Sequence, residues 1–496
     1  MKRFLSKELL ILYLIILIGA FLRLQGVFTN SFAFTYDVGR DMLALWNIVY
    51  THKMPLIGAT TGLPGVFYGP WWYYMLSIPF LMSSGNPQGI ALTMSFIGIL
   101  AIIAAFIVGK KAGGIFLGFC FSALIAVSPV LISLSSQIWN PNIAPLFVIL
   151  IIFVLGKIYS FKKENQKYYF LLGLLLALNI DFEIVFGLFL SIGVLISLIW
   201  IKYKKISLKS IAFFLLGSFV IFAPRAIFEL RHQFLMTKSF IAFITSGNSS
   251  HSISSVLEVL VNRLNIFFNL FNSTFALENK ILGLKFLIFI LITLLIFYKG
   301  AEKSIKNLLK TSLIVIATFL VGTVFFSHDI WPHYLVGIPV FYIFIFSCCF
   351  YFIYKKVSGF FIPLIVLIIF LVNLNPIAII QNFQKPLWEG DASVYRNQLR
   401  AIDYVYKEAN GRAFKYVAYT PPVFDYTYQY LFKWYGPGKY KYSPTQKVNI
   451  AYFIIEPDLG YPDRPKWWLE ARQKDGKIIK EQKIEGGIII QTRVVK

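Results

Sequence analysis

Behind Lys2, Arg3 and Lys7 the chain runs almost unbroken in apolar residues from Leu9 to Phe28. A helix of about 20 such residues crosses a bilayer core of roughly 30 Å. Comparable runs at 88–109, 113–133, 142–160, 167–180, 183–201, 208–223, 281–299, 309–327, 334–354 and 358–378 bring the expectation to eleven spans. The first has the layout of a signal peptide, but no small-residue cleavage site follows, so it reads as an uncleaved anchor. Val66–Met82 is also apolar, yet its Gly-Pro start, aromatic density and Pro79 suit a helix lying in the headgroup interface. From Gln381 onward the pattern changes to short alternating stretches with Pro and Gly. Ser393–Ala409 and Val423–Trp434 read as helices, and Phe414–Tyr419, Val448–Ile455 and Lys477–Val495 as strands with a Gly486-Gly487 turn. The fold class expected is a polytopic α-helical membrane protein, residues 1–380, followed by a small soluble α/β or α+β domain, residues 381–496.

Composition agrees: 57% of the 496 residues are hydrophobic and 14% charged, which excludes a water-soluble globular protein and intrinsic disorder. The net charge of +24 would suggest nucleic acid in a soluble protein. Nineteen of the basic residues, however, fall in clusters on one side of alternate spans, from Lys2/Arg3/Lys7 to Lys355/Lys356, opposed only by Glu8, Glu164 and Glu302. That is the positive-inside pattern, and it predicts a multi-pass protein of the plasma (inner) membrane with a cytoplasmic N-terminus and an extracytoplasmic C-terminal domain. Another nineteen lie in the tail, where anionic headgroups or glycans are natural neighbours. No nucleic-acid partner is needed. Cys120, Cys348 and Cys349 all fall within spans and offer neither a zinc framework nor an evident disulfide.

With this topology every histidine (His52, His232, His251, His328 and His333) falls on the outer face, which directs attention to the outer loops. The first contains Asp37, Arg40 and Asp41 in YDVGRD, ahead of a short apolar-periodic helix. Both carboxylates can face one side, with Arg40 neutralising them or holding a phosphate, or the motif is simply an N-cap and a solvated turn. Asn140 lies in a polar loop opening a helix with Pro141 in its first turn, where anions are favoured. Asp181 and Glu183 sit at the outer end of a hairpin, costly near hydrocarbon unless paired or wet. Arg225, Arg231 and His232 follow the seventh span, where topology does not call for positive charge. They suit a lipid phosphate, or an Arg225–Glu229 helix pair with snorkelling neighbours. Arg23 and His333 invite the same reading. Walker, Rossmann, zincin and nucleophile-elbow motifs are all missing.

These features together resemble the GT-C superfamily of membrane glycosyltransferases, most closely the protein O-mannosyltransferase and aminoarabinose (lipid A) transferase group, over about residues 1–380. Asp37 and Arg40 of YDVGRD match the acidic motif of that family's first loop, FYGPWWYYML at 67–76 its Pro-initiated segment, and WNPNIAPLF at 139–147 its second outer loop. Many relatives carry an acidic residue where this chain has Asn140, which weakens any two-carboxylate metal site. The resemblance implies transfer of a sugar from a polyprenyl-phosphate donor to an acceptor hydroxyl on a glycan, lipid or protein, with inversion at the anomeric carbon. Asp37 would be the general base, and Arg40, Asp41, Asn140, Arg225, Arg231, His232 and His333 would bind substrate or phosphate. No nucleotide cofactor is expected, because the sugar arrives activated in the bilayer, and the choice between a divalent metal ion and none stays open. The alternatives are a ligase or polymerase of lipid-diphosphate-linked glycans and, from another class, a lipid-linked-substrate transporter or flippase. Against the transporter, Asp, Glu, Arg and His are nearly absent from the span centres.

Overall fold

The computed structural model describes residues 7–160, 163–202, 206–245, 256–276, 279–326, 329–356, 391–421 and 424–495. The expected span at 358–378, the division at 380/381, His251 and His328 lie outside these residues. Eight described helices are long and apolar enough to cross a membrane, and a ninth candidate is a bent pair. They are α1 (Lys7–Phe28), α4 (Pro87–Gly113), the pair α5 (Ile115–Val127) and α6 (Pro129–Ser135), α7 (Ala144–Ser160), α9 (Ile184–Lys202), α10 (Leu208–Arg231), α13 (Lys280–Phe297), α14 (Lys303–Val324) and α15 (Ile338–Lys356). The expected span at 167–180 is the 17-residue helix α8 (Gln166–Phe182). In α10 and α13 only 17% of the apolar window is covered by protein, so those faces meet lipid. By contrast, α15 is 94% covered and forms the axis of the bundle.

The kink between α5 and α6, 63°, follows from Pro129. A proline supplies no N–H to the Ile125 carbonyl one turn earlier. Arg23, fully buried in α1, fills the gap: its guanidinium donates to Ile125 O (2.9 Å), Ala126 O (2.7 Å) and Gly19 O (3.0 Å). Arg23, grouped above with the phosphate candidates, is therefore a structural cap inside the bundle. Helices α8 and α10 touch backbone to backbone because Gly173 and Gly217 lack side chains; a Cβ on either would come within 2.1 Å of a facing carbonyl oxygen.

One end of the bundle collects the lysines. Lys111 and Lys157 both lie over the Phe153 ring, and Lys355 pairs with Glu302 at 2.7 Å. The opposite end carries α2 (Tyr36–Thr51) and α3 (Trp71–Met82). At 12 residues α3 is about 18 Å long, too short to cross a ~30 Å core, as its sequence suggests. The segment after α10, read from sequence as an outer loop, is largely helical: α11 (Leu235–Thr245) and the amphipathic α12 (Val256–Thr274), which buries Phe267 and Phe271. Glu229 caps α11 by accepting from Met236 N (2.8 Å) and Thr237 N (3.0 Å), so the expected Arg225–Glu229 pair does not form.

The C-terminal unit is a four-stranded mixed sheet, order β1-β2-β4-β3, built from β1 (Lys415–Tyr419), β2 (Ile450–Ile455), β3 (Lys477–Lys483) and β4 (Ile489–Val494). The β1/β2 pair is parallel and the other two pairs are antiparallel. Helices α16 (Tyr395–Ala409) and α17 (Tyr426–Tyr440) pack with it, and α18 (Asp463–Glu470), unforeseen in the sequence, closes one end. The unit is docked on the segment between α1 and α2 and on the turn after α3. Phe34 N donates to Ser393 O (2.7 Å) and Tyr395 N to Phe32 O (3.0 Å). Tyr430 OH donates to Gly85 O, and Trp434 Nε1 to Ser84 O (2.9 Å). An aromatic cluster of Phe34, Trp46, Phe80, Tyr395 and Tyr430 fills the seam.

Candidate active site

Asp37 stands in the first turn of α2, where the helix N-terminus favours a carboxylate. Arg40, one turn on, bridges both acids of the motif: Nη1 lies 2.6 Å from Asp37 Oδ1, while Nε and Nη2 reach Asp41 Oδ1 at 3.0 and 2.9 Å. Asp41 is 2% exposed and also accepts from Trp72 Nε1 (2.9 Å) and Tyr73 OH (3.0 Å). Expected among the substrate-binding residues, Asp41 is instead saturated by protein donors and acts as a strut that locks α2 to α3 and holds Arg40 in place. Asp37 remains about one quarter exposed. Burial pushes its carboxyl above the ordinary value, against the opposing pull of Arg40.

The hairpin between α8 and α9 is tied to the start of α3 and the segment before it. Trp71 N donates to Asp181 Oδ2 (3.1 Å), Gly69 N to Asp181 O (3.0 Å) and Tyr68 OH to Glu183 Oε2 (2.9 Å). Gly69 is obligatory here, since a Cβ would fall within 1.9 Å of the Asp181 carboxyl carbon. Arg225 Nη2 lies 3.1 Å from Asp181 Oδ1, an ion pair without hydrogen-bond alignment, and Arg225 Nε has no hydrogen-bond partner among the described residues. Asn140 is buried, and its amide donates to Phe182 O, fastening the 137–143 loop to the same hairpin. That is a scaffold contact where substrate binding was expected. His333 rests edge-on against Trp139, ring centroids 4.9 Å apart. Arg231 and His232 lie on the exposed end of α10, His232 stacked on Phe228 at 4.0 Å, and neither lines the cavity described next.

Between the segments 33–38 and 137–139 and the C-terminal unit opens a cavity of about 780 Å³. Tyr36, Asp37 and Trp139 form one wall, and Gln398, Thr427, Glu456, Asp458 and Arg464 the other. The second wall escaped the sequence reading, since its residues carry no motif and face Asp37 only because the sheet docks there. Burial pushes Glu456 up to about 7. Among the described residues no group of three His, Cys, Asp or Glu side chains is placed to hold a metal ion. The space between Asp37 and Asp41 is taken by the Arg40 guanidinium, so these donors do not fit a divalent cation.

A helical bundle with two short helices at one end and a docked C-terminal sheet is a fold this chain shares with solved structures. Among solved structures it is similar to ArnT of Cupriavidus metallidurans bound to undecaprenyl phosphate, with 98% of each chain covered, a TM-score of 0.58 and 11% identity. The apo form of that protein matches over 91% of this chain and 97% of its own at TM-score 0.49 and 10% identity. The oligosaccharyltransferase AglB of Archaeoglobus fulgidus, in complex with an inhibitory peptide and a dolichol-phosphate, matches over 89% of this chain and 61% of its own at TM-score 0.45 and 14% identity. No protein-family model and no curated protein sequence matches the chain.

Proposed function

We propose that this protein transfers a sugar from a polyprenyl-phosphate donor to an acceptor hydroxyl, with Asp37 as general base. The observation that carries the reading is Asp37 itself: a partly buried carboxylate, held in place by Arg40, facing a large cavity at the end of the bundle away from the lysines. The fold adds support, because ArnT, similar along its whole length, was crystallised with undecaprenyl phosphate. The lysine clusters support a reading in which the cavity and the unit 381–496 face the extracytoplasmic side of a plasma (inner) membrane and the N-terminus the cytoplasm.

In the proposed step the acceptor O–H donates its proton to Asp37 while the acceptor oxygen attacks the anomeric carbon. The anomeric C–O bond to phosphate breaks, and its electron pair leaves on the polyprenyl phosphate. A raised carboxyl pKa makes Asp37 a better base. Arg225, with an unsatisfied Nε at the lipid-exposed helix α10, is the group suited to the leaving phosphate, and Arg40 the cation nearest the reacting centre. Arg231 and His232, on the exposed end of α10, suit a headgroup rather than the reacting atoms, while His333 packs behind Trp139 of the cavity wall.

The test is to supply labelled mono- and diphosphate polyprenyl sugars side by side to the protein in lipid nanodiscs. Release of polyprenyl phosphate from the monophosphate donor is expected. Cleavage of the diphosphate donor alone would replace the reading with a lipid-diphosphate ligase.

A further inference from the structure

The cavity wall opposite Asp37 has no part in the proton transfer or in holding the phosphate, yet it is built of buried polar groups with open bonding capacity. Glu456, 3% exposed, follows β2 and accepts from Gln398 Nε2 (2.9 Å) and Tyr428 OH (3.0 Å). Both bonds fall on Oε1, and among the described residues no hydrogen bond reaches Oε2. Gln398 and Thr427, each 1% exposed, line the same cavity, and Gln398 Oε1 and Thr427 Oγ1 have no hydrogen-bond partner. Protein interiors rarely leave buried groups unpaired, so Gln398 Oε1 and Thr427 Oγ1, beside the open Glu456 Oε2, mark a place where a ligand supplies the partners.

The charge of the cavity narrows the ligand. Its acidic lining residues are Asp37, Asp391, Glu456 and Asp458, against Arg464 as the basic one. Arg464 is already occupied, 3.8 Å from Asp458 Oδ2 and stacked over the Tyr461 ring at 3.6 Å. Arg40 in turn pairs with Asp37, so two cations face four carboxyl groups and the balance stays negative, which disfavours an entering phosphate or carboxylate. A hydroxyl group, which donates and accepts at once, matches a carboxyl oxygen, a threonine hydroxyl and an amide oxygen together. Tyr36, Trp139 and Tyr461 supply flat apolar surface of the kind that the C–H face of a sugar ring covers.

We propose that Glu456, Gln398 and Thr427 form the acceptor subsite, and that it selects a neutral, polyhydroxylated glycan over a phosphorylated or otherwise anionic acceptor. The proposal rests on the transferase reading above and adds the acceptor class and the side chains that bind it.

The experiment uses the full chain in fluorescent nanodiscs over an array of neutral, phosphorylated and carboxylated glycans, with empty nanodiscs as blank. Retention on neutral glycans and none on their phosphorylated counterparts is expected. Glu456→Gln keeps an oxygen for Gln398 and Tyr428, so the fold is preserved while the open acceptor becomes a donor. Neutral-glycan retention should fall roughly tenfold, the loss of one hydrogen bond to a charged group. Thr427→Val should weaken it as well, and size exclusion with a melting curve confirms that both variants are folded. Preferential retention of anionic glycans, no retention at all, or retention indifferent to both folded variants overturns the proposal. Donor cleavage by the unaltered protein is assayed separately. Cleavage without glycan retention leaves the transferase reading standing and removes this inference, whereas retention without cleavage of any donor does the reverse.

Discussion

Gly39 lies inside α2 and within the YDVGRD motif, where replacing glycine by alanine would ordinarily stabilise a helix by up to about 1 kcal/mol. The structure reverses the sign. A Cβ at Gly39 would sit 2.4 Å from Thr427 N, 2.5 Å from Tyr426 C and 2.7 Å from Thr427 Cα, all backbone atoms of α17 that no rotamer change can move. Normal contact needs about 3.5 Å, so α17 must retreat by roughly 1 Å. Overpacking of this kind costs about 1–3 kcal/mol. The cost falls on the seam between α2 and the C-terminal unit. Amides of α17 in Gly39→Ala should therefore exchange with solvent deuterium roughly 5- to 150-fold faster, at 1.36 kcal/mol per decade. Hydrogen-exchange mass spectrometry on peptides spanning 426–440 reads this directly, with peptides of α15 as internal control. Unchanged or slower exchange in α17 would refute the claim that the C-terminal unit is seated backbone to backbone on α2.

Three further outcomes follow from the same geometry. The rate should fall on the acid side through a carboxyl pKa above the ordinary 3.8: Asp37 must be ionised to accept a proton, and burial raises its pKa, so activity is lost as pH drops through that raised value. A pH–rate profile in nanodiscs checks the position of the limb, and a limb at or below 3.8 contradicts the assignment. Asp181→Ala should cost about 3 kcal/mol, because it strands Arg225 in a nearly buried site and frees Trp71 N; a lower melting temperature measures it, and an unchanged one would mean the pair carries no weight. Arg23→Met keeps the volume but abandons the carbonyls at the α5–α6 kink, for a loss of roughly 2–4 kcal/mol read in the same melting assay, with full stability the contrary result.

What was legible in the sequence is what local pattern controls. Apolar runs of the right length became helices, although the expected span 113–133 is broken at Pro129. The tail was read nearly strand for strand, because alternation and the Gly486-Gly487 turn are short-range signals. Helix α17 runs to Tyr440, past the expected end at Trp434, because tertiary contacts such as Tyr440 stacked on Tyr406 at 4.4 Å hold a stretch with Gly436 and Pro437 helical. Asp37 and Arg40 were visible as neighbours in one motif. The pairing of Arg225 with Asp181 in place of Glu229 was not, since nothing local favours a partner 44 positions away over one a turn away. Asp41 and Asn140 looked like ligand-binding groups in sequence because residue type alone cannot tell a carboxylate saturated by Trp72 and Tyr73 from an open one. The second wall of the cavity was invisible for the same reason: Gln398 and Glu456 meet Asp37 only through the docking of a separate sheet.

The central claim is that Asp37 deprotonates an acceptor at the expense of a polyprenyl-phosphate sugar. Its most direct test is the release of polyprenyl phosphate from a panel of labelled polyprenyl-phosphate sugars, offered with neutral glycan acceptors, by the unaltered protein and by Asp37→Asn in matched nanodiscs. The account predicts release by the unaltered protein with at least one donor, and a fall of about 10²–10⁴-fold in the variant, the usual worth of a positioned general base. Equal release by the two proteins, or release from no donor by either, would contradict it.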